Sequence, residues 1–306
     1  MNFKRIIIES VLILLCLTSA AWSSSIQLAV LYPEARGNFS KVFENLISGI
    51  KEQQDINVIS KQVTKATPVE EIDKWLVESN AQIILSLGHL SYTLSKKLNS
   101  NIPVTVGALV VSPKGHSGIS LAADPRIFFK HLEDLAPDVK RVFVVYSEKN
   151  TGWLIDIAKR AVKERNIELI AYKAADIKQG VKYYDEVLQQ VRNGEDAIWI
   201  PLDRIVPDKI ILPKILQAAW EHNIAVFSNN PLHTKKGTLF ALFPDHRLMG
   251  KDLAQLAVEQ FISKAKPRVL PAKSLKLAVN KRTASHLGLS FSKSKQQQFD
   301  IIFPSR

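Results

Sequence analysis

Short apolar runs alternate with amphipathic segments along most of the chain, and this alternation is the feature that most constrains its fold. Runs such as IQLAVL (26–31) and IILSL (83–87) have the continuous apolar character of buried parallel strands. Apolar side chains at helical spacing occupy residues 42–50, and Thr67–Pro68 suits the start of another helix that ends near Val77. Repeated strand and helix units predict a parallel sheet with helices on both faces.

A second round of the same alternation begins near Gly118, with strands such as RVFVVY (141–146) and DAIWIP (196–201). The two rounds are similar in length and order, so the chain is expected to form two α/β domains of one kind. The last third departs from the pattern, with a long amphipathic helix over about 246–263 and one further strand, LKLAVN (275–280). This remainder is too small for a third domain. It is expected to complete the first two.

The expected domain division follows from this order. Residues 24–115 and 245–272 are assigned to a first lobe, and residues 116–244 and 273–306 to a second. The chain would then cross between the lobes several times and form a hinge of crossing strands. A hinge between two like lobes creates a cleft that can close on a ligand.

The first 23 residues have the features of an export signal. Lys4 and Arg5 precede an apolar stretch that ends in small residues, and cleavage is expected near Ala21 or Ser23. The stretch is short for a membrane anchor, and an uncleaved anchor is the alternative interpretation. Cys16 is the only cysteine, so a cleaved chain would have no thiol for disulfides or thiolate chemistry. The expected location is the periplasm.

The charge balance is basic, with a formal net charge of +12. An exported protein rarely meets nucleic acid, and aromatic and basic residues do not alternate as they do in base-stacking surfaces. No nucleic-acid partner is therefore expected. The positive charge is concentrated in the segment 264–282, which has no acidic residue. A solvated surface is the simpler interpretation of this segment, and weak contact with a membrane surface is the alternative.

Motifs for catalysis or metal binding are missing from the sequence. It contains neither a GxSxG nucleophile motif nor an HExxH zinc motif, and no two histidines have the spacing of local metal ligands. A dinucleotide-binding loop needs three glycines, whereas the candidate stretch has one. The expectation is a protein without catalytic residues, cofactor or metal.

The stretch LSLGHLSYT (85–93) places Ser, Gly and His directly after a buried strand. It is open to three interpretations: a catalytic histidine, a phosphate-binding loop or the rim of a ligand cleft. Backbone N–H groups at the start of the following helix, near His89, suit a carboxylate or another anion. We favour the rim of a cleft, because ligands of open α/β sheets bind outside the carboxyl ends of the strands.

Other strand ends also carry polar or aromatic residues. Such residues suit a turn and a ligand contact about equally well, and together they fit a cleft for a small polar ligand. The candidate ligand-binding residues are Tyr32, Ser86, Gly88, His89, Ser147, Asn150, Thr151, Pro201, Asp203, Ser228, Asn229 and Asp245.

The segment GISLAADPRIFFKHLEDLAPDVKRVFVVYSEKNTGW (118–153) resembles the exported substrate-binding proteins of a bacterial ABC-transporter family, often described as tryptophan/tyrosine-type or uncharacterised. The residues that carry the resemblance are Gly118–Ser120, Ala136–Pro137, Lys140–Val142 and Asn150–Gly152. DAIWIPLDRIV (196–206) and the closing LKLAVNKRTASHLGL extend it over nearly all of the expected mature chain. Their order is more specific than any single motif.

The resemblance implies a type I periplasmic-binding-protein fold with two Rossmann-like lobes. It also implies that the ligand contacts the strand ends named above. The function expected from it is the periplasmic solute-binding component of an ABC-type transport system, closing on a small polar or anionic solute that could be amino-acid-like. Its partners would then be an ABC permease and ATPase. The alternative is a periplasmic sensor that reports ligand closure to a membrane histidine kinase, cyclase or chemoreceptor.

Overall fold

Two separate β-sheets organise the chain in the computed structural model, which describes residues 25–203 and 205–304. The expected export signal, residues 1–23, lies outside the described residues. Within the described ranges, no helix combines the length and the apolar character that a membrane span needs.

Strands and helices alternate along most of the described chain, as the apolar pattern predicts. The strands are β1 (Ile26–Pro33), β2 (Ile56–Val63), β3 (Ile83–Leu87), β4 (Val104–Gly107), β5 (Ser117–Ala123), β6 (Arg141–Tyr146), β7 (Glu168–Lys173), β8 (Asp196–Ile200), β9 (Ala225–Ser228), β10 (Phe240–Pro244), β11 (Val269–Ala272), β12 (Leu275–Asn280) and β13 (Ile301–Phe303). The helices are α1 (Asn38–Ile50), α2 (Val69–Glu78), α3 (Gly88–Ser95), α4 (Pro125–Leu135), α5 (Glu148–Val162), α6 (Ile177–Gln190), α7 (Asp208–Glu221), α8 (Pro231–Lys236), α9 (His246–Ser263), α10 (Lys281–His286) and α11 (Lys293–Gln296).

The first sheet has the strand order β11-β5-β4-β3-β1-β2, and its strands are all parallel. The second has the order β13-β12-β10-β9-β8-β6-β7, and β12 runs antiparallel to β10. The predicted α/β fold with two sheets is confirmed, and both sheets are predominantly parallel. The carboxyl ends of the parallel strands form one edge of each sheet, and this is where ligands of such sheets bind.

The chain passes between the two sheets from β5 to α4, from β10 to α9 and from β11 to β12. Backbone hydrogen bonds tie these passages together. The N–H of Asp124 donates to the carbonyl of Ala272 at 2.9 Å, and the N–H of Asp245 donates to the carbonyl of Ser274, also at 2.9 Å. The passages therefore form one bundle of adjacent segments, as a hinge requires.

Strand β5 differs from the sequence-based division, which placed residues 116–244 in the second lobe. It pairs with β4 and β11, so it belongs to the first sheet, and the chain first leaves that sheet after Ala123. The reason is local. No helix lies between β4 and β5, so the alternation that revealed the other units gave no signal here.

Aromatic side chains fill the centre of the second half. The rings of Trp199 and Phe240 lie on either side of Phe227 in near-parallel stacks, with centroids 6.3 and 5.1 Å from that of Phe227. Phe128 of α4 completes the cluster, and all four side chains are almost completely buried. Burial of each such ring stabilises the fold by about 2–3 kcal/mol, so this half provides a rigid base for its strand ends.

Candidate functional site

A cavity of about 380 Å³ lies where the carboxyl ends of the two sheets face each other. Its lining residues are His89, Ala108, Leu109, Val110 and Leu121 from the first half and Asn150 and Leu202 from the second. Both halves thus contribute walls. Of the predicted ligand-binding residues, His89 and Asn150 line this space.

Gly88 positions His89 at the cavity. Its φ angle of 82° lies in the left-handed region, which turns the chain directly from β3 into α3. A Cβ atom at this position would lie 3.4 Å from the Phe43 ring and from Pro33, so the turn is also closely packed. Gly88 is buried and acts through the backbone.

The N-terminus of α3 carries no capping group. The preceding residue, Leu87, has no side chain that could cap the helix, and the first turn has no acidic residue. The first N–H groups of a helix have no partner within it, and the helix dipole is positive at this end. This end can therefore hold the anionic group of a bound molecule.

Ser86 does not face the cavity. Its side chain is fully buried, and its hydroxyl accepts a hydrogen bond from the Ser95 hydroxyl at 3.2 Å. It joins β3 to α3 from within, so its ligand-binding role is not supported by its position. In a strand buried on both faces, spacing alone does not show which face a residue occupies.

A carboxylate occupies the start of α5, in contrast to α3. Asp203 Oδ2 accepts hydrogen bonds from the backbone N–H of Ser147 at 2.7 Å and from the Thr151 hydroxyl at 2.6 Å. Asp203 Oδ1 accepts one from the N–H of Ile205 at 3.0 Å. Three predicted ligand-binding residues, Ser147, Thr151 and Asp203, therefore meet in one place and bind one another.

A second carboxylate adds to the negative charge at this helix end. Glu148 lies in the first turn of α5, and the Tyr146 hydroxyl donates a hydrogen bond to it at 3.3 Å. Burial raises the pKa of Tyr146, and the Glu148 charge raises it further, so the phenol remains a donor at neutral pH. Neither Asp203 nor Glu148 lines the cavity itself, but both lie at the start of the helix whose Asn150 does.

The remaining predicted residues of the second half lie behind the cavity surface. Pro201 is buried, and the fully buried Ser228 hydroxyl takes part in a turn, where it accepts from the N–H of Asn230 at 3.1 Å. Asn229 is 8% exposed, and its Nδ2 has no hydrogen-bond partner among the described residues. A buried amide N–H without a partner costs free energy, and Asn229 does not line the cavity.

Tyr32 lies in the first half at the end of β1 and packs against its core. Its ring centroid lies 6.2 Å from that of Phe43, and it does not line the cavity.

Asp245 lies in the hinge, where it caps α9. It accepts hydrogen bonds from the N–H groups of Arg247 and Leu248 and forms an ion pair with Lys276 at 3.2 Å. Burial alone would raise the pKa of Asp245, but the Leu248 hydrogen bond and the Lys276 ammonium outweigh it, so the pKa is lower than usual. These contacts suit a structural role in the hinge.

The apolar wall of the cavity was missed by sequence reasoning. Leu109, Val110, Leu121 and Leu202 line it, and in a sequence such apolar side chains look the same as residues of the core. The available signal was their position directly after, or within, a strand that ends at the ligand edge. Apolar walls are typical of small-molecule sites.

The two halves also make direct contact beside the cavity. Trp153 of α5 packs against an apolar cluster from the first half that contains Val106, Leu109 and Val111.

Within residues 25–203 and 205–304, no three His, Cys, Asp or Glu side chains lie close enough together to hold a metal ion.

The basic segment 264–282 does not lie at one place in the fold. Lys264 precedes β11 at the amino-terminal edge of the first sheet, whereas Arg282 follows β12 at the far edge of the second. Within the segment, Arg268 pairs with Glu259, and Lys276 pairs with Asp245. The charges are therefore spread along the molecule.

The family model described as "ABC transporter substrate binding protein" matches residues 46–296 of the chain. No curated protein matches the sequence of this chain significantly.

Solved structures of similar fold cover nearly the whole chain. The ABC domain in complex with L-Trp from Streptococcus pneumonia has 15% identity, covers 92% of this chain and 100% of its own, and has a TM-score of 0.55. A ligand-free, open substrate binding protein with adhesive properties from Clostridium difficile has 14% identity, the same two coverages and a TM-score of 0.60. A conserved domain protein from Vibrio cholerae has 17% identity, covers 91% and 99%, and has a TM-score of 0.53.

Proposed function

Because the chain belongs to the family of ABC transporter substrate binding proteins, we propose that it is the solute-binding component of an ABC-type transport system, acting outside the cytoplasmic membrane. It holds a small solute between its two halves and delivers it to a permease and ATPase, without making or breaking a bond. The observation that carries this proposal is the cavity of about 380 Å³ lined by both halves.

The charge pattern around the cavity favours an amino-acid-like solute. The uncapped start of α3 suits a carboxylate, and His89 adds a polar side chain there. Next to Leu202 of the opposite wall, and behind the cavity lining, Asp203 uses three of its roughly four acceptor positions internally, which leaves about one for a donor group of the solute in a closed form. Glu148 adds negative charge on the same side.

The apolar wall suggests the rest of the solute. Leu109, Val110 and Leu202 surround a space that lies within the usual range for small ligands, about 300–1,000 Å³. An aliphatic or aromatic side chain would bury its surface there. We therefore favour an apolar amino acid or a closely related zwitterion over a sugar, which would need many polar partners.

Closure would use the three passages between the sheets as a hinge. Contacts to both walls are available to the solute only when the halves approach each other, so binding would shift the population toward a closed form. We propose the lobes as the two sheets with their helices, divided after Ala123, after Pro244 and between β11 and β12.

The test is a thermal-shift screen of the purified protein against the common L-amino acids and small monocarboxylates, followed by calorimetric titration of each hit. We expect at least one hit, with a radius of gyration that decreases on binding in small-angle scattering. His89→Ala and Asn150→Ala should each weaken binding about tenfold, since each removes a polar contact worth about 1.4 kcal/mol.

His222→Ala and Asn101→Ala serve as matched controls, because both residues are exposed and lie away from the cavity. They should leave the affinity unchanged. Equal affinity of the wild type and both cavity variants would contradict the proposed site. Native mass spectrometry of protein purified from its own periplasm provides a second test, and a bound molecule that is neither zwitterionic nor anionic would contradict the ligand class.

A further inference from the structure

A second and larger cavity, of about 680 Å³, lies at the opposite edge of the first sheet. It is formed by the ends of α3 and α9, the start of β4 and the loop that leads into β5. These elements surround the amino-terminal edge of the sheet, whereas the cavity described above lies at its carboxyl edge. The two cavities are therefore separate.

The unusual connection between β4 and β5 contributes one wall of this space. Parallel strands normally need a crossover of a dozen or more residues, usually a helix that covers the face of the sheet. Here residues 108–116 make the crossover without a helix. Residues 114–117 at the end of this crossover form one wall of the cavity, at the amino-terminal edge of the sheet.

The rim of this cavity is positively charged. Lys96, Lys114 and Lys264 line it, and no Asp or Glu is among its lining residues. None of these three lysines forms an ion pair with any residue in the described part of the chain. Lys96 Nζ lies 4.5 Å from the centre of the Tyr92 ring. The rim thus presents three ammonium groups that are free to bind an anion.

The floor of the cavity is apolar. It includes the buried Ala257 and the half-buried Val104 and Phe261, while the exposed Pro103 and Pro267 line the outer part of the cavity. Cationic groups around an apolar floor match a molecule with an anionic head and an apolar body, because each part meets its complement.

Two buried polar groups in the wall lack partners. His116 Nε2 and Gln260 Nε2 have no hydrogen-bond partner among the described residues, although His116 Nδ1 lies 3.1 Å from the Tyr92 hydroxyl. Buried polar atoms are rarely left unpaired in native proteins. Burial lowers the pKa of His116. A hydrogen bond to the backbone carbonyl of Lys114 opposes this effect, and the charges of the Lys96 and Lys114 side chains lower the pKa further. The ring is therefore neutral at pH 7.

We propose that this cavity is a second binding site, which takes a free amphipathic anion with a carboxylate or sulfonate head and an apolar body. The head lies between the three lysines and the body lies on the floor formed by Val104 and Phe261. The concave space of about 680 Å³ suits a single small molecule rather than a flat membrane surface. This site is independent of the cleft solute proposed above.

The test uses 8-anilinonaphthalene-1-sulfonate, whose fluorescence rises in apolar sites, with displacement by decanoate. We expect saturable binding of one probe molecule per chain, and displacement by decanoate at least tenfold more effective than by the uncharged decanol. The variant K96Q/K114Q/K264Q should weaken decanoate binding at least tenfold. A265W, which places a large ring at the exposed edge of the cavity, should abolish it.

The matched control is K159Q/K163Q/K178Q, which removes three exposed lysines of other surfaces that form no ion pair among the described residues. It should bind decanoate like the wild type. Equal affinity of both triple variants, or equal displacement by decanol, would overturn the proposal. His89→Ala should have no effect on decanoate. If it abolished binding while the lysine variant did not, the probe would occupy the cleft, and the second site would be refuted without harm to the proposed function.

Discussion

The helices α3 and α5 both begin at the cavity between the halves, yet their first turns are built differently. The start of α3 has neither a capping side chain nor an acidic residue, whereas the start of α5 holds the Asp203 carboxylate and is followed by Glu148. Two helix N-termini with the same dipole therefore present opposite requirements to a ligand. One is left open for an anion, and the other is already neutralised by the protein itself.

This difference shows that equivalent positions in two similar halves do not have equivalent roles. Sequence patterns alone placed Ser86–His89 and Ser147–Thr151 in the same class of polar strand ends. In the fold, the residues around Asp203 hold one another, while those around Gly88 shape an open turn. The asymmetry predicts the orientation of a zwitterion, with its carboxylate toward α3.

The largest effect is expected when the occupied helix end loses its carboxylate. Asp203→Ala removes the acceptor for the Ser147 N–H, the Thr151 hydroxyl and the Ile205 N–H, and should lower the free energy of unfolding by about 3 kcal/mol. Urea denaturation would measure it. The control is Asp156→Ala. This residue is exposed on α5, the helix that Asp203 caps, and its replacement should change stability by less than about 0.5 kcal/mol. A loss below about 1 kcal/mol for Asp203→Ala would contradict the assigned role.

A smaller loss is expected at the turn into the open helix end. Gly88→Ala places a side chain at a φ of 82°, which should cost about 1–2 kcal/mol of stability. Gly115→Ala is the matched control, because Gly115 has a φ of 73° but no atom within 4 Å of an added Cβ. Both variants carry the backbone strain, and the new Cβ of Gly88→Ala meets Phe43 and Pro33 only at van der Waals distance, so the two losses should be similar. A much larger loss for Gly88→Ala in urea would show that the packing of this turn, and not its φ angle, limits the position.

Helix α9, which begins directly after the hinge, has a third N-terminus that can be compared with these two, and Asp245 caps it. The pKa of Asp245 is lowered in the fold, so its contribution to stability is complete above its ordinary pKa near 4 and is lost as the pH falls through the lower folded value. Asp245→Asn keeps a capping oxygen without the charge. We expect the wild type to exceed this variant by about 1 kcal/mol at pH 6, with the difference decreasing as the pH falls below the ordinary pKa of about 4 and through the lower folded value. A difference that does not depend on pH would refute the role of the charge.

The smallest effects should have opposite signs at the two cavity helices. His89→Asp adds a carboxylate to the unoccupied first turn of α3 and should raise stability by about 0.5 kcal/mol, while Glu148→Gln should lower it by a similar amount. Both changes should shrink in 1 M salt, where charges are screened. His89→Asp should also abolish binding of an anionic solute. A stabilised variant that still binds the solute would show that the anion does not lie at α3.

Some features of the site could be predicted from the sequence because they depend on local chain order. His89 and Asn150 follow buried strands directly, and the rule that ligands bind at the carboxyl ends of parallel strands placed both at the cavity. The direction of a side chain within a doubly buried strand is not a local property. Ser86 was therefore assigned to the ligand, whereas it points toward α3 and bonds to Ser95.

The amino-acid sequence by itself determined the α/β class, the two predominantly parallel sheets and most of the helices, since these follow from the spacing of apolar residues over short stretches. Only the tertiary structure decided that β5 belongs to the first sheet, that Asp203 neutralises the start of α5, and that the connection between β4 and β5 forms one wall of a second cavity. These outcomes depend on contacts between residues far apart in the chain. Such contacts are selected by the free energy of the whole packed molecule, which no local pattern records.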